Sequence, residues 1–291
     1  MSKALGILIT VLFILFPAYV KEGVSKGLEI CAFSLLPSLF PYMIISGIFL
    51  SSGGLEAVSE IIHKFLKKFL KFSKNGCGGF ILSLFCGYPT GARISQELLK
   101  DDLISEKEAS RLFLIANIPG FGFCVSFLNA KYTNGLKIYI SYLLTAIILN
   151  FIFSHFLKHE ETTFTKKESL PFYKCITDSV KSAGITMLNL CSFVCFFSCL
   201  SSVFKLFVKN KKLYAVISAF LEITTGAEEI QKYFPHKEAC YLTVFFTGFC
   251  GLSVLFQSLS FSSEKANIKL LLITRFMFAC LSVIIFILIG G

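Results

Sequence analysis

Gly87-Tyr-Pro-Thr-Gly-Ala-Arg-Ile-Ser-Gln96 interrupts one apolar segment of the chain, and Glu222-Ile-Thr-Thr-Gly-Ala-Glu-Glu-Ile-Gln231 interrupts another. Both stretches contain Thr-Gly-Ala followed, after three intervening residues, by Gln. Each is followed by a Lys-Glu-Ala sequence, at 107–109 and at 237–239, which opens an apolar helix interrupted by glycine. The shared order of these features predicts an internal duplication of the chain.

The amino-acid composition indicates that the apolar segments fold in a lipid bilayer and not in water. Of the 291 residues, 55% are apolar and only 16% are charged, whereas an ordinary soluble domain has about 25% charged residues. The mean hydropathy is +0.73. Too few charges remain for the surface of a soluble enzyme, so we expect an all-α polytopic integral membrane protein.

The net charge of +10 is interpreted as a membrane signal and not as a sign of nucleic-acid binding. The Lys residues lie mostly between apolar runs, where they set topology and contact lipid headgroups. The 11 Cys residues form no Cys-x-x-Cys pair and are interpreted as small apolar side chains. His155 and His159 have the spacing of a metal pair but lack a third ligand, and no ATP-binding loop or catalytic triad occurs. We therefore expect no enzyme activity, metal or cofactor.

Seven apolar runs are long enough to cross the ~30 Å hydrocarbon core, which takes about 20 helical residues. The first has no signal-peptide cleavage site and is interpreted as an uncleaved anchor. The predicted spans are 4–20, 28–50, 108–128, 136–157, 183–204, 237–260 and 268–290.

Two further apolar segments, 77–99 and 213–234, have Gly or Pro near their centres, where such residues break a helix. Each half has about 10 residues and spans roughly 15 Å, which is half of the bilayer core. Such a segment either crosses as a broken helix or turns at the midplane and returns as a re-entrant hairpin. Hairpins give each repeat three true spans and therefore inverted repeats, whereas full crossings give parallel repeats. The Lys distribution favours hairpins, and both topologies stay open.

A basic amphipathic helix is predicted between the second span and the first broken segment. Over 60–74, apolar residues follow helical spacing and five Lys residues fill the other face, so we expect the helix to lie in the membrane interface. The chain is then predicted to divide into an N-terminal anchor helix (1–27), a first repeat (28–157), a polar linker loop (158–181) and a second repeat (182–291).

Polar residues near the breaks are the candidates for a binding site, because a charge at the bilayer centre costs about 2.5–3.5 kcal/mol and needs a partner or a water-filled cavity. We predict an ion pair between Arg93 and Glu222 or Glu228. Half-helices that begin at the breaks, with Thr90 and Thr225 as N-caps, would point N–H groups at the midplane. The alternatives are a purely structural ion pair and kinks needed only for packing. The predicted solute-binding residues are Gly87, Pro89, Thr90, Gly91, Arg93, Gln96, Asn117, Gly120, Glu222, Thr225, Gly226, Glu228 and Gln257.

One stretch of the first repeat resembles a known family. It runs Gly87-Tyr-Pro-Thr-Gly-Ala92, then Leu103-Ile-Ser105 and Glu108-Ala109, then a helix with Asn117 and Gly120. This pattern resembles the sporulation integral membrane proteins of the YlbJ type, which carry a nucleoside-recognition, or Gate, domain, and it is clearest over residues 28–128. The domain class is similar to parts of concentrative nucleoside transporters and of the ferrous-iron transporter. The resemblance implies two inverted repeats, and it implies site positions at Gly87, Pro89, Gly91, Arg93, Asn117 and Gly120.

Three functions are compatible with these observations. The leading hypothesis is a multi-pass, permease-like protein of the bacterial cytoplasmic membrane that acts in sporulation. It would bind a small polar solute, nucleoside-like or other, at the midplane between the two repeats. The alternative is a non-transporting membrane scaffold for spore-envelope or cortex assembly, and the third hypothesis is an ion or metal channel. The expected partners are the lipid bilayer, the solute, and other sporulation membrane proteins or further copies of the chain.

Overall fold

The computed structural model describes residues 2–156, 170–262 and 267–291, and within these ranges the chain is helical and contains no strand. A helix that continues through a π-helical turn counts as one element. In chain order the helices are α1 (Ser2–Leu15), α2 (Pro17–Ser51), α3 (Gly54–Leu70), α4 (Lys74–Cys86), α5 (Thr90–Lys100), α6 (Glu106–Ile115), α7 (121–132), α8 (Gly135–Phe156), α9 (Phe172–Phe204), α10 (Lys211–Leu221), α11 (Ile223–Tyr233), α12 (His236–Phe249), α13 (Gly251–Phe261) and α14 (Ile268–Leu288).

Five stretches of the described residues are helical, long and apolar enough to cross a membrane: Pro17–Ser51, Gly135–His155, Phe172–Phe204, His236–Phe261 and Ile268–Leu288. One of them, His236–Phe261, is interrupted at Cys250 between α12 and α13. The other two of the seven predicted spans form no stretch of this kind. The predicted anchor at 4–20 is divided between α1 and α2, because Pro17 has no N–H for the preceding turn and begins a new helix. The predicted span at 108–128 is divided between α6 and α7 by residues 116–120, which include Pro119 and Gly120.

The helix α2 is longer than the predicted second span. It runs through residues 27 and 28, so the predicted boundary between anchor and first repeat lies inside a helix. A π-helical turn at Cys31–Leu35 widens α2 just before Pro37, whose ring would clash with the carbonyl four residues earlier in a regular α-helix. On the other side of the predicted linker, α9 begins at Phe172, within the predicted loop, while residues 157–169 lie outside the described residues.

Each of the two broken segments folds into a helical hairpin. In the first hairpin, Gly79 of α4 faces Ile94 and Leu98 of α5. In the second, the arms meet at their outer ends, where the Lys211 ammonium lies 5.8 Å from the centre of the Tyr233 ring. The arms of each hairpin are therefore antiparallel. An arm has 11 or 13 residues, or about 16–20 Å, which is too short to cross the hydrocarbon core alone.

The two arms of the second hairpin are in unusually close contact near its tip. A Cβ atom added at Gly226 of α11 would lie 2.0 Å from the Cα atom of Ala219 on α10. Any side chain at position 226 would therefore force the arms apart. The close approach of the two backbones explains the Gly in this Thr-Gly-Ala sequence.

Contacts between helix ends define two faces of the molecule, at opposite ends of α2 and α9. At the first face, the Leu170 N–H donates to the Ser51 carbonyl over 3.1 Å, which places the start of α9 beside the end of α2. The first hairpin ends here as well, because Lys74 and Asp101, at the outer ends of its two arms, line one cavity with Ser51.

At the second face, the Lys205 Nζ atom just beyond α9 lies 3.2 Å from the Glu22 carboxylate near the start of α2. The second hairpin ends at this face, because the Glu229 carboxylate of α11 lies 3.0 Å from the Lys26 Nζ atom of α2. The two hairpins therefore open toward opposite faces.

The order of elements is the same in the two halves of the chain. A long helix, a hairpin, a broken helix and a final helix occur as α2, α4–α5, α6–α7 and α8, and again as α9, α10–α11, α12–α13 and α14. The first half also carries α3, where the predicted amphipathic helix is helical only as far as Leu70. Ile61 and Phe65 of α3 are 64% and 72% exposed, as expected for side chains in contact with lipid.

Candidate functional site

The tip of the first hairpin is in backbone contact with the break in the first broken helix. Gly87 has a φ of +73°, and a Cβ atom added there would lie 2.2 Å from the Gly120 nitrogen. Beside it, the Tyr88 N–H donates to the Ile118 carbonyl over 2.8 Å. Two predicted solute-binding glycines, Gly87 and Gly120, are thus brought together, and their lack of side chains is explained by the crossing of two chain segments.

Three more predicted site residues are buried next to this crossing. Pro89 occupies the N-cap position of α5, and Thr90, predicted as the N-cap, is instead the first helical residue. The Thr90 side chain is buried, and its hydroxyl has no hydrogen-bond partner among the described residues. A Cβ atom added at Gly91 would lie 2.7 Å from the Ala116 carbonyl oxygen, so this glycine also marks a close approach.

The tip of the second hairpin is closed by a buried carboxylate. Glu222 is 1% exposed and is the N-cap of α11. It accepts hydrogen bonds from the Thr224 N–H at 3.2 Å, the Thr224 hydroxyl at 2.6 Å and the Thr225 N–H at 2.7 Å. Thr225, predicted as the N-cap, therefore lies inside the first turn. A carboxylate at this position satisfies N–H groups that the helix leaves unpaired and faces the positive end of its dipole.

Arg93 connects the first hairpin to the second half of the chain. Its side chain is 7% exposed. Its Nη1 atom donates to the Ser182 hydroxyl at 2.9 Å and to the Thr186 hydroxyl at 3.3 Å, both on α9. Its Nε atom lies 3.3 Å from a carboxylate oxygen of Glu97, one turn further along α5. The guanidinium is therefore held between its own hairpin arm and a long helix of the other half.

The predicted ion pair between Arg93 and Glu222 or Glu228 is wrong. Glu222 caps α11, while the Glu228 carboxylate lies 3.7 Å from both Lys26 and Lys131. The reason is the direction of the hairpins: they open toward opposite faces, so the residues that follow the two tips diverge. A sequence match between two segments does not tell which way each segment runs.

Asn117, at the break of the first broken helix, contacts the second broken helix. It is fully buried, and its Nδ2 atom donates to the Ser258 hydroxyl of α13 at 2.5 Å. Gln257, the neighbour of Ser258, is also buried and donates to the Ser253 hydroxyl at 3.2 Å. The amide oxygens of Asn117 and Gln257 have no hydrogen-bond partner among the described residues. Gln96, in contrast, lies half-buried on α5.

Arg275 of α14 is a buried cation that was not predicted from the sequence. It is 0% exposed, and its guanidinium donates to the Asn117 carbonyl at 2.5 Å and to the Leu114 carbonyl. It forms no ion pair within the described part of the chain. The last carbonyls of α6 have no partner in the helix, so a cation here satisfies them and faces the negative end of the dipole. A single Arg within a 21-residue apolar helix was the available signal.

A cavity of about 610 Å³ opens at the first face, between α2, α5 and α9. This volume lies within the range of about 300–1,000 Å³ typical of small-molecule sites. Of the predicted site residues, Arg93 lines this cavity, and Glu228 lines a second cavity of about 490 Å³ between α2, α7 and α11. The other charged residues around the first cavity are Glu56, Lys74, Glu97, Asp101 and Asp178. Among the described residues, no group of three His, Cys, Asp or Glu side chains is placed to hold a metal ion.

Comparisons with known proteins place this arrangement in the membrane. No family model matches the chain, and no solved structure matches it. The sporulation integral membrane protein YlbJ of Bacillus subtilis is 23% identical over 290 aligned positions, which cover 84% of this chain and 70% of that protein. This similarity supports the resemblance to the YlbJ family. Together with the five apolar helices, it identifies the chain as a multi-pass membrane protein.

Proposed function

We propose that the protein is a non-enzymatic, permease-like protein of the bacterial cytoplasmic membrane that binds and moves a small polar solute during sporulation. The role in sporulation is inferred from the similarity to YlbJ, which is described as a sporulation integral membrane protein. In this proposal, residues 28–157 and 182–291 are two inverted repeats of the nucleoside-recognition, or Gate, type, and 77–99 and 213–234 are re-entrant hairpins.

The repeated order of elements and the opposite openings of the hairpins support the inverted arrangement. Transporters built from inverted repeats place their sites at discontinuous helices of the two halves and move one repeat against the other. In this protein the hairpin tips and helix breaks of both halves meet in the core, where Asn117 contacts Ser258 across the two broken helices. Each face then has a cavity beside one hairpin.

The observation that carries the proposal is the position of Arg93. Its side chain lines the cavity at the first face, is buried, and reaches hydroxyls of α9 in the other half. An ionisable side chain buried among membrane helices is a candidate for a pathway or binding site. A solute bound at Arg93 would contact both halves at once, as a site for alternating access requires.

Ligand-dependent thermal stabilisation of the purified protein tests this proposal. A ligand that binds only the folded state raises the melting temperature by mass action, with about 2.7 kcal/mol of stabilisation at a hundredfold excess over its Kd. Nucleosides, nucleobases, small acids and divalent metals form the panel, with the Arg93→Ala variant in parallel. We expect a concentration-dependent shift with one class that Arg93→Ala abolishes, and uptake of that compound by proteoliposomes. No shift with any compound, together with an equally stable variant, would contradict the proposal.

The packing of the breaks favours a second candidate, a membrane scaffold for spore-envelope or cortex assembly. Gly87, Gly91 and Gly120 are each explained by backbone contact, so these breaks need no solute to account for them. A scaffold would tolerate Arg93→Ala or lose only stability, and the panel above would produce no shift.

A further inference from the structure

The charges around the cavity at the first face are arranged by depth. Arg93 lies at the inner end, beside Ser182. Glu97 follows Arg93 by four residues on α5, and Asp101, the C-cap of α5, follows Glu97 by four, so all three lie along one side of that helix, which runs outward to the first face. The cavity therefore has a cation at its inner end and carboxylates toward its mouth.

The opposite wall, on α9, also carries its carboxylate nearer the mouth of the cavity. Ser182 contacts Arg93, and Asp178 lies four residues earlier, one turn closer to the first face, where α9 begins. Four residues of α-helix span about 6 Å. Both residues line the cavity. The Asp178 carboxylate is thus about one helical turn nearer the mouth than the guanidinium.

The unpaired charge in the cavity is negative. Arg93 is paired with Glu97, and the Lys74 Nζ atom lies 3.4 Å from the Glu60 carboxylate. Asp178 and Glu56 form no ion pair with any described residue. A ligand that compensates these carboxylates would bring a cationic group to them, and an anionic group on the same ligand would bind the buried guanidinium only by replacing Glu97.

The resident pair shows how an anionic group would gain access. The Glu97 side chain is 39% exposed, against 7% for Arg93. Glu97 is therefore able to turn toward the cavity mouth while Arg93 stays in place, held by Ser182 and Thr186. A ligand carboxylate would then take the place of Glu97 on the guanidinium, and the released Glu97 would add a further carboxylate for the ligand's cationic end.

We propose that the cavity at the first face binds a small zwitterion of dipeptide length, with its carboxylate on Arg93 and its ammonium group at Asp178. An extended dipeptide separates its two charges by about 7 Å, close to the helical turn between Ser182 and Asp178, whereas a single amino acid spans about half of that distance. This inference rests on the proposed function, and it replaces the neutral nucleoside with a doubly charged solute.

A matched series of ligands tests the proposal on the full chain in detergent. Alanyl-alanine carries both charges, its amide carries only the cation, its N-acetyl form carries only the anion, and the N-acetyl amide carries neither; free alanine tests the length. The chain has no Trp and eleven Cys, all free thiols, so a thiol-reactive fluorophore reports unfolding. We expect alanyl-alanine to raise the melting temperature at a concentration about tenfold lower than any other member requires.

Two variants assign the ends of the ligand. Asp178→Asn should weaken stabilisation by alanyl-alanine about tenfold, while leaving that by the N-acetyl form unchanged. Asp102→Asn, a matched change at an exposed carboxylate outside the cavity lining, should leave both unchanged. Because Asp178 is exposed, its variant is expected to fold even if a change at Arg93 does not.

Several results would overturn the inference. Equal melting-temperature shifts with alanyl-alanine and its amide would mean that Arg93 does not bind the ligand's carboxylate. Equal shifts with alanyl-alanine and its N-acetyl form would mean that Asp178 does not bind the ammonium group. No shift with any member would also reject it. If a nucleoside or another compound of the broader panel shifts the wild type but not Arg93→Ala, the permease proposal stands and the zwitterion proposal alone fails.

Discussion

Arg275 and Asn117 are joined across the two halves of the chain: the guanidinium Nη1 atom of the last helix lies 2.5 Å from the backbone oxygen at the break between α6 and α7. The same nitrogen lies 3.6 Å from the Cys250 sulfur, at the break between α12 and α13. One buried cation thus contacts both broken helices.

Arg275→Met should destabilise the protein through the carbonyls that it leaves unpaired. An unsatisfied buried acceptor costs about 1–3 kcal/mol. The Leu114 and Asn117 carbonyls would both lose the guanidinium, which leaves the Asn117 carbonyl only the Cys250 thiol at 3.8 Å. The free energy of unfolding in a denaturing-detergent titration measures the loss, and mass spectrometry measures alkylation of Cys250, which we expect to become faster. Lys269→Met, at an exposed position of the same helix, is the control. Unchanged stability and alkylation would show that the breaks do not need Arg275.

Gly87→Ala and Gly120→Ala should prevent the first hairpin from docking on the first broken helix. An added methyl group would lie within 2.2 Å of backbone at Gly87 and 2.7 Å at Gly120, and neither backbone segment can move without disrupting the core. We expect a loss of several kcal/mol or no folded protein. Gly184→Ala, where nothing lies within 4 Å, should be neutral or slightly stabilising. Normal expression and melting of Gly87→Ala would mean that the two segments do not cross as described.

Glu222→Ala should destabilise the start of α11. The variant removes a buried acceptor of three hydrogen bonds and leaves the Thr224 and Thr225 N–H groups unpaired, and the loss of an N-cap costs about 0.5–2 kcal/mol. Glu222→Gln keeps one side-chain oxygen and should lose less. Hydrogen exchange of the peptide covering 223–233 reads the local effect, and Glu238→Gln, at an exposed position of α12, controls for charge. Equal exchange in all variants would contradict a capping role.

Lys26→Met should loosen the second hairpin at the second face. Lys26 pairs with Glu229 at 3.0 Å and with Glu228 at 3.7 Å, so the variant removes two ion pairs between α2 and α11. Because Glu229 keeps Lys232 as a partner at 2.9 Å and the site is partly solvated, we expect a loss of about 1 kcal/mol. Denaturing-detergent titration measures it. Lys21→Met, an exposed Lys on the same helix, should have no effect; a similar loss there would point to a general effect of charge.

Local chemistry explains which features followed from the sequence. The described residues confirm the predicted all-helical fold, and the apolar helices together with the similarity to YlbJ confirm the membrane location. Both could be predicted because composition and the length of the apolar runs depend directly on the lipid environment. The interruptions at 87–89 and 117–120 lie where Gly and Pro predict them, since those residues break helices through their own geometry. The second interruption lies at Glu222, slightly before the predicted Thr224-Thr225-Gly226, because the carboxylate caps the following helix.

The contact partners and the burial of the charged side chains could not be predicted from the sequence, because they depend on how helices distant in sequence align. Arg93 contacts hydroxyls on α9 rather than a carboxylate of the second hairpin. Arg275 was hidden within a long apolar run, and its partners are backbone carbonyls, which no residue pattern identifies. The start of α9 at Phe172 was obscured by a polar flank that continues as helix.

The contact between Gly226 and Ala219 has a mechanical consequence. Two arms that are in backbone contact cannot slide past each other without a steric clash. We therefore expect the second hairpin to move as one rigid body. The short connections at 205–210 and 234–235, which lie at the second face, would act as its hinges. Any movement of this hairpin that opens a pathway beside it would tilt both arms together. The same movement would separate Glu228 and Glu229 from Lys26.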